Sequence, residues 1–180
     1  MIILIDMDDV LADFDREFLN RWKKKYPDKF YIPLEKRNLF YMKDQYPPDV
    51  WELVREVYTS PGFIRSLPAV PGSANAINEL SERGFDVFIC TSPLSHYENC
   101  VLEKYEWVDE HLGRDWIKKL ILTKDKTLIK GEILIDDRPE VEGAATPEWE
   151  HVLFDRPYNK NIESKRRLTW ENWKEVLNLF

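Results

Sequence analysis

The chain has 180 residues, of which 43% are hydrophobic and 33% are charged, a balance typical of one folded domain rather than a disordered segment. Its formal net charge of −7 argues against a long nucleic acid as partner, because phosphate backbones are bound by basic surfaces. The one dense basic run, residues 165–167, is short and is expected to be a solvated surface.

The first apolar run, residues 1–5, ends at Asp6 and has no basic residue before it. It is too short for a membrane span and lacks the features of an export signal. Cys90 lies in the apolar segment 87–90 and is expected to be a small buried hydrophobe rather than half of a disulfide. These features predict a cytoplasmic protein without a membrane partner.

Short apolar runs alternate with helical patterns along the chain, which is typical of an α/β fold with a parallel sheet. The predicted strands are residues 2–6, 85–91, 120–123, 133–136 and 151–154. Their continuous apolar character favours parallel strands that are covered on both faces.

Two helices have clear sequence signals. One is predicted over residues 73–83, with Gly84 as its C-terminal cap. The last helix of the chain is expected to pack a stripe of apolar residues against the core. The stripe consists of Trp170, Trp173, Val176, Leu177 and Phe180.

Residues 26–71 interrupt the alternation. They are rich in proline and aromatic residues and contain no convincing strand, although residues 48–59 resemble a helix. We therefore expect a small helical cap, residues 26–66, inserted after the first strand–helix unit. Residues 1–25 and 67–180 would then form the Rossmann-like catalytic core.

Asp6 and Asp8 follow the first predicted strand and are separated by one residue. Both can face one ligand if the chain turns there. A carboxylate that attacks phosphorus forms an aspartyl-phosphate intermediate, and a second carboxyl group can protonate the leaving alkoxide and later deprotonate water. The alternative is structural, because acidic residues often follow strands as turn formers or helix caps.

Asp136 and Asp137 lie at the end of another predicted strand. Adjacent carboxylates repel each other unless a cation is near, and Mg²⁺ is usually held by one or two carboxylates together with a substrate phosphate. We assign Asp6 and Asp136 as the predicted magnesium pair. A solvated acidic turn before Arg138 is the alternative.

Two further signals are weak by themselves. Thr91 and Ser92 follow a predicted strand, where hydroxyl groups and the N-terminus of a following helix can hold a phosphate oxygen. Lys126 follows the next strand and can neutralise phosphate and Asp6, although a single lysine is usually a surface residue. Because ligands bind beyond the carboxyl ends of parallel strands, these residues are expected to converge with the two acidic pairs.

The order of acidic pair, hydroxyl group, lysine and acidic pair resembles that of the haloacid dehalogenase superfamily of aspartate-nucleophile phosphatases. Longer blocks narrow the likeness to the 5′(3′)-deoxyribonucleotidases. These blocks are residues 6–14, 88–93, 122–127, 134–139 and 147–154. The resemblance covers nearly the whole chain, is weakest over residues 26–66, and implies a Rossmann-like parallel sheet flanked by helices.

By this resemblance, Asp6 is the nucleophile and Asp8 the general acid and base. Magnesium would be held by the Asp6 side chain, the Asp8 backbone carbonyl and Asp136, with Asp137 in support. The phosphate would be held by Thr91, Ser92 and Lys126. The pyrimidine pocket would fall on Phe14, Phe40, Tyr41, Met42 and Tyr58, with Leu94 nearby. The resemblance also implies dUMP-like or dTMP-like substrates and suggests a homodimer.

Several residues depart from the mammalian family pattern. Asp9 stands where that pattern has glycine, Tyr41 and Tyr58 stand where it has tryptophan, and Lys124 of the substrate pocket stands where it has arginine. Because lysine offers a point charge and arginine a planar fork, base and sugar preference stay open.

Three alternatives accompany this interpretation. The enzyme could act on a sugar phosphate or another small phosphomonoester, although an aromatic cap favours a base. A catalytically silent phosphate-binding module is expected to lack Asp6 or Asp8, and both are present. Finally, the aromatic residues of the cap and C-terminus could form an interaction surface instead of packing in the core.

Overall fold

The computed structural model describes residues 1–179, so Phe180 of the predicted C-terminal stripe lies outside the described residues. Six strands form one sheet in the order β3-β2-β1-β4-β5-β6, and every pairing is parallel. The strands are β1 Ile2–Ile5, β2 Asp86–Thr91, β3 Leu120–Leu122, β4 Ile133–Asp136, β5 Glu150–Phe154 and β6 Arg167–Leu168. The predicted α/β class is confirmed, and the predicted strands are confirmed as β1 to β5.

Within the described residues, the α-helices are α1 Phe14–Lys25, α2 Trp51–Tyr58, α3 Ser73–Glu82, α4 Tyr97–Leu112 and α5 Trp173–Leu177. The helix predicted over residues 73–83 is confirmed, and Gly84 after it has a φ of +88°, the left-handed conformation that glycine adopts readily. The last helix is shorter than predicted, because Trp170 lies in the turn before it. Trp170, Trp173 and Leu177 are nevertheless buried in the core as expected.

The central strand β1 is covered on both faces. Ile3 and Ile5 belong to the main hydrophobic core, whereas Leu4 belongs to a smaller cluster with Cys90 and Leu134 on the opposite face. This alternation follows from the two-residue side-chain repeat of a strand. Cys90 is fully buried and free, as its apolar neighbours predict.

Residues 26–66 contain no strand of the sheet in this described stretch of chain. They form three short 3-10 turns, Leu34–Lys36, Met42–Gln45 and Pro48–Val50, and the helix α2. The helix predicted over residues 48–59 is therefore confirmed. Val54 and Val57 of α2 join the main core beside Phe18 of α1, which fixes the segment against the sheet domain.

The basic run 165–167 is not simply a solvated surface, so that prediction is wrong. Arg167 begins the edge strand β6 and donates hydrogen bonds of 2.8 Å to the backbone carbonyls of Asn159 and Ile162. Lys165 donates to the carbonyl of Pro139 at 2.6 Å. Only Arg166 of the three is exposed, because the other two side chains bend back to satisfy loop carbonyls.

Candidate active site

The structure brings the predicted site residues to one cavity of about 400 Å³. β1 lies between β2 and β4 in the sheet, so residues that follow these neighbouring strands meet beyond their carboxyl ends. The predicted residues that line the cavity are Asp6, Asp8, Phe14, Phe40, Tyr41, Met42, Tyr58, Thr91, Ser92, Leu94, Lys124, Lys126, Asp136 and Asp137.

Lys126 joins the two carboxylates that the sequence pairs. Its Nζ lies 2.7 Å from Asp6 Oδ1 and 2.6 Å from Asp136 Oδ2, and all three side chains are buried. Burial lowers the pKa of the Lys126 ammonium, but the charges of Asp136 and Asp6 outweigh burial and raise this pKa well above its ordinary value. The site therefore holds a permanent positive charge between two carboxylates.

The turn that carries Lys126 is fixed by its neighbour Asp125. The Asp125 carboxylate accepts hydrogen bonds from the backbone N–H of Thr127 at 2.9 Å and of Ala144 at 2.7 Å. Gly143 packs so closely here that a Cβ atom on it would lie 1.9 Å from Asp125 Oδ1. The glycine thus allows the loop around residue 143 to hold the lysine turn.

Asp6, Asp136 and Asp137 form a compact buried cluster. Each offers a carboxylate oxygen, and these oxygens lie within 4.8 Å of one another. Burial and the charges of Asp136 and Asp6 raise the pKa of Asp137 well above its usual value, while Tyr158 donates a hydrogen bond to Asp137. Because Mg²⁺ prefers carboxylate oxygens and such a cation relieves carboxylate repulsion, this donor set fits magnesium.

Asp8 lies apart from the carboxylate cluster and has a different partner. Lys104 of α4 donates to Asp8 Oδ1 at 2.7 Å and to Thr91 Oγ1 at 3.0 Å. The Lys104 side chain is 0% exposed and that of Asp8 is 24% exposed. Burial raises the pKa of the Asp8 carboxyl group, although Lys104 counteracts it. A carboxyl group in this setting suits proton exchange better than metal binding.

The backbone of the turn after Asp6 shows how aspartate fits at position 9, where the mammalian pattern has glycine. Asp9 has a φ of +57°, a left-handed conformation that glycine adopts freely and aspartate tolerates. The Asp9 carboxylate accepts from the backbone N–H of Asp15 at 3.0 Å, and its carbonyl accepts from Arg156 Nε at 2.6 Å. Burial and the charge of Asp15 nevertheless raise the pKa of the Asp9 carboxyl group well above its usual value, and Arg156 and Arg37 counteract this only in part.

Arg37 links residues 26–66 to the sheet domain. It is buried, forms an ion pair with Asp15, and its guanidinium carbon lies 4.5 Å from the ring centroid of Tyr158. It also donates to the backbone carbonyl of Phe40 at 2.7 Å. The arginine thereby places Phe40 at the cavity.

Aromatic residues form the wall opposite the charged cluster. Phe14 lies 6.1 Å from Tyr58 and Phe40 lies 5.1 Å from Tyr41, measured between ring centroids. Arg138 donates to the Tyr41 hydroxyl at 3.0 Å. The cavity thus combines a set of aromatic rings, with Arg138 against two of them, and the charged cluster at the strand ends.

One feature of the segment after β2 differs from the sequence expectation. Helix α4 begins at Tyr97, so its N-terminus does not directly follow Ser92. Lys124 also lines the cavity, and its exposed side chain donates to the carbonyl of Pro93.

Sequence reasoning missed Lys104, Arg37, Arg156 and Tyr158. Lys104 had a detectable signal, because the buried residues of α4 follow the helical spacing of an apolar stripe. These residues are Cys100, Glu103, Lys104, Trp107 and Val108. Charged residues inside such a stripe indicate buried, paired charges. The other three residues carry no comparable local pattern.

A parallel sheet with a carboxylate pair after its central strand, a lysine after β3 and an acidic pair after β4 defines a phosphomonoester hydrolase of the haloacid dehalogenase type. The fold agrees with that class. A haloacid dehalogenase-type hydrolase from Bacillus subtilis, solved with magnesium, has a TM-score of 0.61 at 14% identity, covering 99% of this chain and 98% of that chain.

Sequence comparison narrows the class. The family described as 5′ nucleotidase, deoxy (pyrimidine), cytosolic type C matches residues 1–180. The human cytosolic-type 5′(3′)-deoxyribonucleotidase is 42% identical, covering 97% of this chain and 92% of its own length. A Bordetella pertussis chain provisionally named 5′(3′)-deoxyribonucleotidase is 51% identical, covering 98% and 95%. The chain belongs to this family of deoxyribonucleotidases.

Within residues 1–179, no helix combines the length and the apolar character that crossing a bilayer requires.

Proposed function

We propose that the protein hydrolyses deoxyribonucleoside 5′- or 3′-monophosphates of the dUMP and dTMP type to nucleoside and phosphate, with magnesium as cofactor. The observation that carries the proposal is the convergence of Asp6, Asp8, Lys126 and Asp136 on one cavity. Family membership supports the choice of substrate, because a 42% identical relative is named for this activity.

Two aspartates divide the chemistry. Asp6 attacks phosphorus, and the bond from phosphorus to the nucleoside oxygen breaks as the aspartyl-phosphate bond forms. Asp8 gives its proton to the departing oxygen and then takes a proton from water. That water attacks phosphorus and releases phosphate and Asp6. The separate partners of the two carboxylates, Lys126 and Lys104, support these separate roles.

Magnesium would be held by the Asp6 side chain, the Asp8 backbone carbonyl and Asp136, with Asp137 beside them. When bound, it supplies positive charge that stabilises the phosphoryl oxygens. The mutual proximity of the three acidic side chains, whose charges repel one another, supports a cation at this position.

The phosphate would be held by Lys126, Thr91 and Ser92. Lys126 supplies a fixed positive charge beside Asp6. Ser92 is partly exposed and lines the cavity, where its hydroxyl group is free to meet a ligand. Thr91 is fully buried and accepts a hydrogen bond from Lys104, so its contribution combines phosphate binding with support of the lysine.

The nucleobase would lie against the aromatic wall provided by the cap, residues 26–66, and by α1. Stacking of a base on aromatic rings is worth about 1–3 kcal/mol. This wall and its apolar neighbours consist of Phe14, Phe40, Tyr41, Met42, Tyr58 and Leu94, with Lys124 at the rim. A base can stack on these rings, whereas a sugar phosphate has no aromatic ring to stack on them, which favours a nucleotide.

The proposal also covers compartment and assembly. Both cysteines are free and buried, as suits the reducing cytoplasm. Exposed aromatic residues on the cap, such as Phe30 and Trp51, offer a surface to a second copy. Sizing chromatography distinguishes a homodimer from a monomer.

The decisive experiment compares kcat/KM over a panel of phosphomonoesters in the presence of magnesium. The panel includes deoxyribonucleotides, ribonucleotides, a sugar phosphate and an aryl phosphate. Deoxyribonucleoside monophosphates should be preferred, and Asp6→Asn should abolish turnover of all substrates. Asp86→Asn, at the exposed start of β2, serves as the matched control. A flat substrate profile would remove the nucleotide assignment, and retained activity in Asp6→Asn would remove the covalent mechanism.

A further inference from the structure

We infer that Lys104 is a positioning residue, which holds the Asp8 carboxyl group in the orientation that proton transfer to the leaving group requires. The inference rests on the proposed function, in which Asp8 is the proton donor. It assigns a role to a lysine that lies outside the four sequence motifs of the site.

The contacts of Lys104 match the chemistry of its ammonium group. An ammonium has three N–H donors, and its Nζ has three neighbours at hydrogen-bonding distance: Asp8 Oδ1 at 2.7 Å, Thr91 Oγ1 at 3.0 Å and Met7 Sδ at 3.8 Å. The side chain has no exposure to solvent. Its donors are therefore directed by the protein alone.

Asp8 depends on this contact. It lies in the turn after β1, and its carboxylate has no other hydrogen-bond donor or ion-pair partner recorded among the described residues. A charge-assisted hydrogen bond from a buried cation is short and directional, so it selects one rotamer of the carboxyl group. The division is clear, because Lys126 serves Asp6 and Asp136 whereas Lys104 serves Asp8.

Helix α4 is anchored on both sides of Lys104. The neighbouring Glu103 is buried and accepts hydrogen bonds from the backbone N–H groups of Gly62 at 2.6 Å and Ile64 at 2.9 Å. One turn later, Trp107 donates to the carbonyl of Leu67 at 2.7 Å. The helix therefore cannot shift without breaking contacts to residues 62–67, and these contacts keep Lys104 Nζ in place.

Two substrates with different leaving groups can show whether Lys104 positions Asp8 for proton transfer. A nucleoside alkoxide is a poor leaving group and needs a proton as it departs, whereas a nitrophenolate ion departs without one. A misplaced Asp8 should therefore slow the cleavage of a nucleotide far more than that of p-nitrophenyl phosphate. A loss of general structural integrity would slow both substrates equally.

The test compares kcat/KM for dUMP and for p-nitrophenyl phosphate, since this quantity includes departure of the leaving group. Lys104→Met should lower the dUMP value by about 10²-fold and the aryl phosphate value by less than about fivefold. Glu110→Gln, at an exposed position of the same helix, is the control, and it should leave the ratio of the two kcat/KM values unchanged. Equal losses on both substrates in Lys104→Met would overturn the inference.

A double-mutant cycle with Asp8→Asn separates this inference from the proposed function. Asp8→Asn should lower kcat/KM for dUMP far more than kcat/KM for the aryl phosphate, as Lys104→Met does. Adding Lys104→Met to Asp8→Asn should lower kcat/KM for dUMP by less than about threefold further, because the two residues act as a unit. A selective loss in Asp8→Asn with fully additive effects would overturn the Lys104 role alone. No selectivity in Asp8→Asn would overturn both the Lys104 role and the assignment of Asp8 as proton donor.

Folding is checked by thermal unfolding of each variant. Lys104→Met leaves the Asp8 charge without its partner, whereas the double variant removes both charges and is expected to fold. If Lys104→Met does not unfold cooperatively, Lys104→Gln replaces it in the cycle. Glutamine keeps an N–H donor, but on a shorter side chain that places it away from Asp8. The ratio of kcat/KM for dUMP to kcat/KM for the aryl phosphate should therefore fall again, and an unchanged ratio would count against the positioning role of Lys104.

Discussion

The two sides of the cavity are built in opposite ways. On the side of the strand ends, buried charges hold one another, as Lys126 holds Asp6 and Asp136. On the other side, residues 26–66 present aromatic rings, of which Tyr41 is 51% exposed. The charged residues at the strand ends are thus buried and paired with one another, whereas the aromatic residues are more open to solvent. Under the proposed function, the first set serves the reaction and the second the choice of substrate.

The difference has a structural cause. The charged residues follow strands whose backbone groups are paired within the sheet, as when the N–H of Asp6 donates to the carbonyl of Ile135 at 2.9 Å. The aromatic wall depends instead on short 3-10 turns and on anchors such as Arg37. Substitutions on the two sides should therefore change different kinetic quantities.

The largest effect is expected at the charged edge. Lys126→Met should lower kcat/KM for every phosphomonoester by about 10³-fold, because it removes a fixed cation beside the phosphoryl group. Steady-state kinetics and thermal unfolding check this result. Lys130→Met, an exposed position on the same segment, is the control. A loss of kcat/KM confined to nucleotides would contradict the proposal that the charged residues act on every phosphomonoester.

Addition of magnesium should stabilise the same edge. At a concentration of about 100 times its Kd, a bound ligand adds about 2.7 kcal/mol to the free energy of unfolding, roughly a hundredfold in the unfolding equilibrium. Thermal unfolding of chelator-treated protein with increasing magnesium measures the shift. Asp136→Asn should abolish it, and an unfolding midpoint that does not respond to magnesium in the parent protein would contradict the metal site.

The aromatic wall should change selectivity instead. Phe40→Ala should lower kcat/KM for dUMP by about fivefold to about 160-fold, the kinetic equivalent of about 1–3 kcal/mol of stacking. Glycerol phosphate, which has no base, should be hydrolysed at an unchanged rate. Phe30→Ala removes a ring of the same segment that is 70% exposed and outside the cavity, so it should affect neither substrate.

A smaller effect is expected where a loop supports the charged edge. Gly143→Ala places a Cβ atom against Asp125 and should shift the turn that carries Lys126, with a fall in kcat/KM of about tenfold. Gly84→Ala is the control, because its φ of +88° makes the substitution strained although the space is open. The control should lower the unfolding midpoint and leave kcat/KM unchanged.

Local sequence patterns predict the charged residues at the strand ends, whereas the aromatic residues, which also line the cavity, were expected only from the family resemblance. Asp6, Asp8, Thr91, Lys126 and Asp136 follow or end apolar strands, and parallel topology brings strand ends together. Their convergence could therefore be predicted from local patterns. The edge strand β6 escaped prediction, because Arg167–Leu168 has only two residues and lies within a basic run.

Residues that act through tertiary contacts were harder to predict. Arg37 reaches Asp15 from a stretch of prolines and 3-10 turns, where no periodic pattern shows which side chain points inward. Lys104 was overlooked because a lysine on a helix is usually exposed. It lies between Cys100 and Trp107 in the buried stripe of α4. Buried charged residues of this kind can be predicted when charged residues are included in the search for helical periodicity.

The central claim is that Asp6 forms a covalent bond to phosphorus, and the most direct test is to trap that species. Enzyme is mixed with dUMP that carries the radiolabel in its phosphate group, and the reaction is quenched in acid within one turnover. The protein is then reduced with borohydride, which converts an aspartyl phosphate to homoserine. We expect label on the protein before reduction and homoserine at position 6 after it, both absent in Asp6→Asn. Turnover without any labelled protein, or homoserine at another aspartate, would rule out Asp6 as the nucleophile.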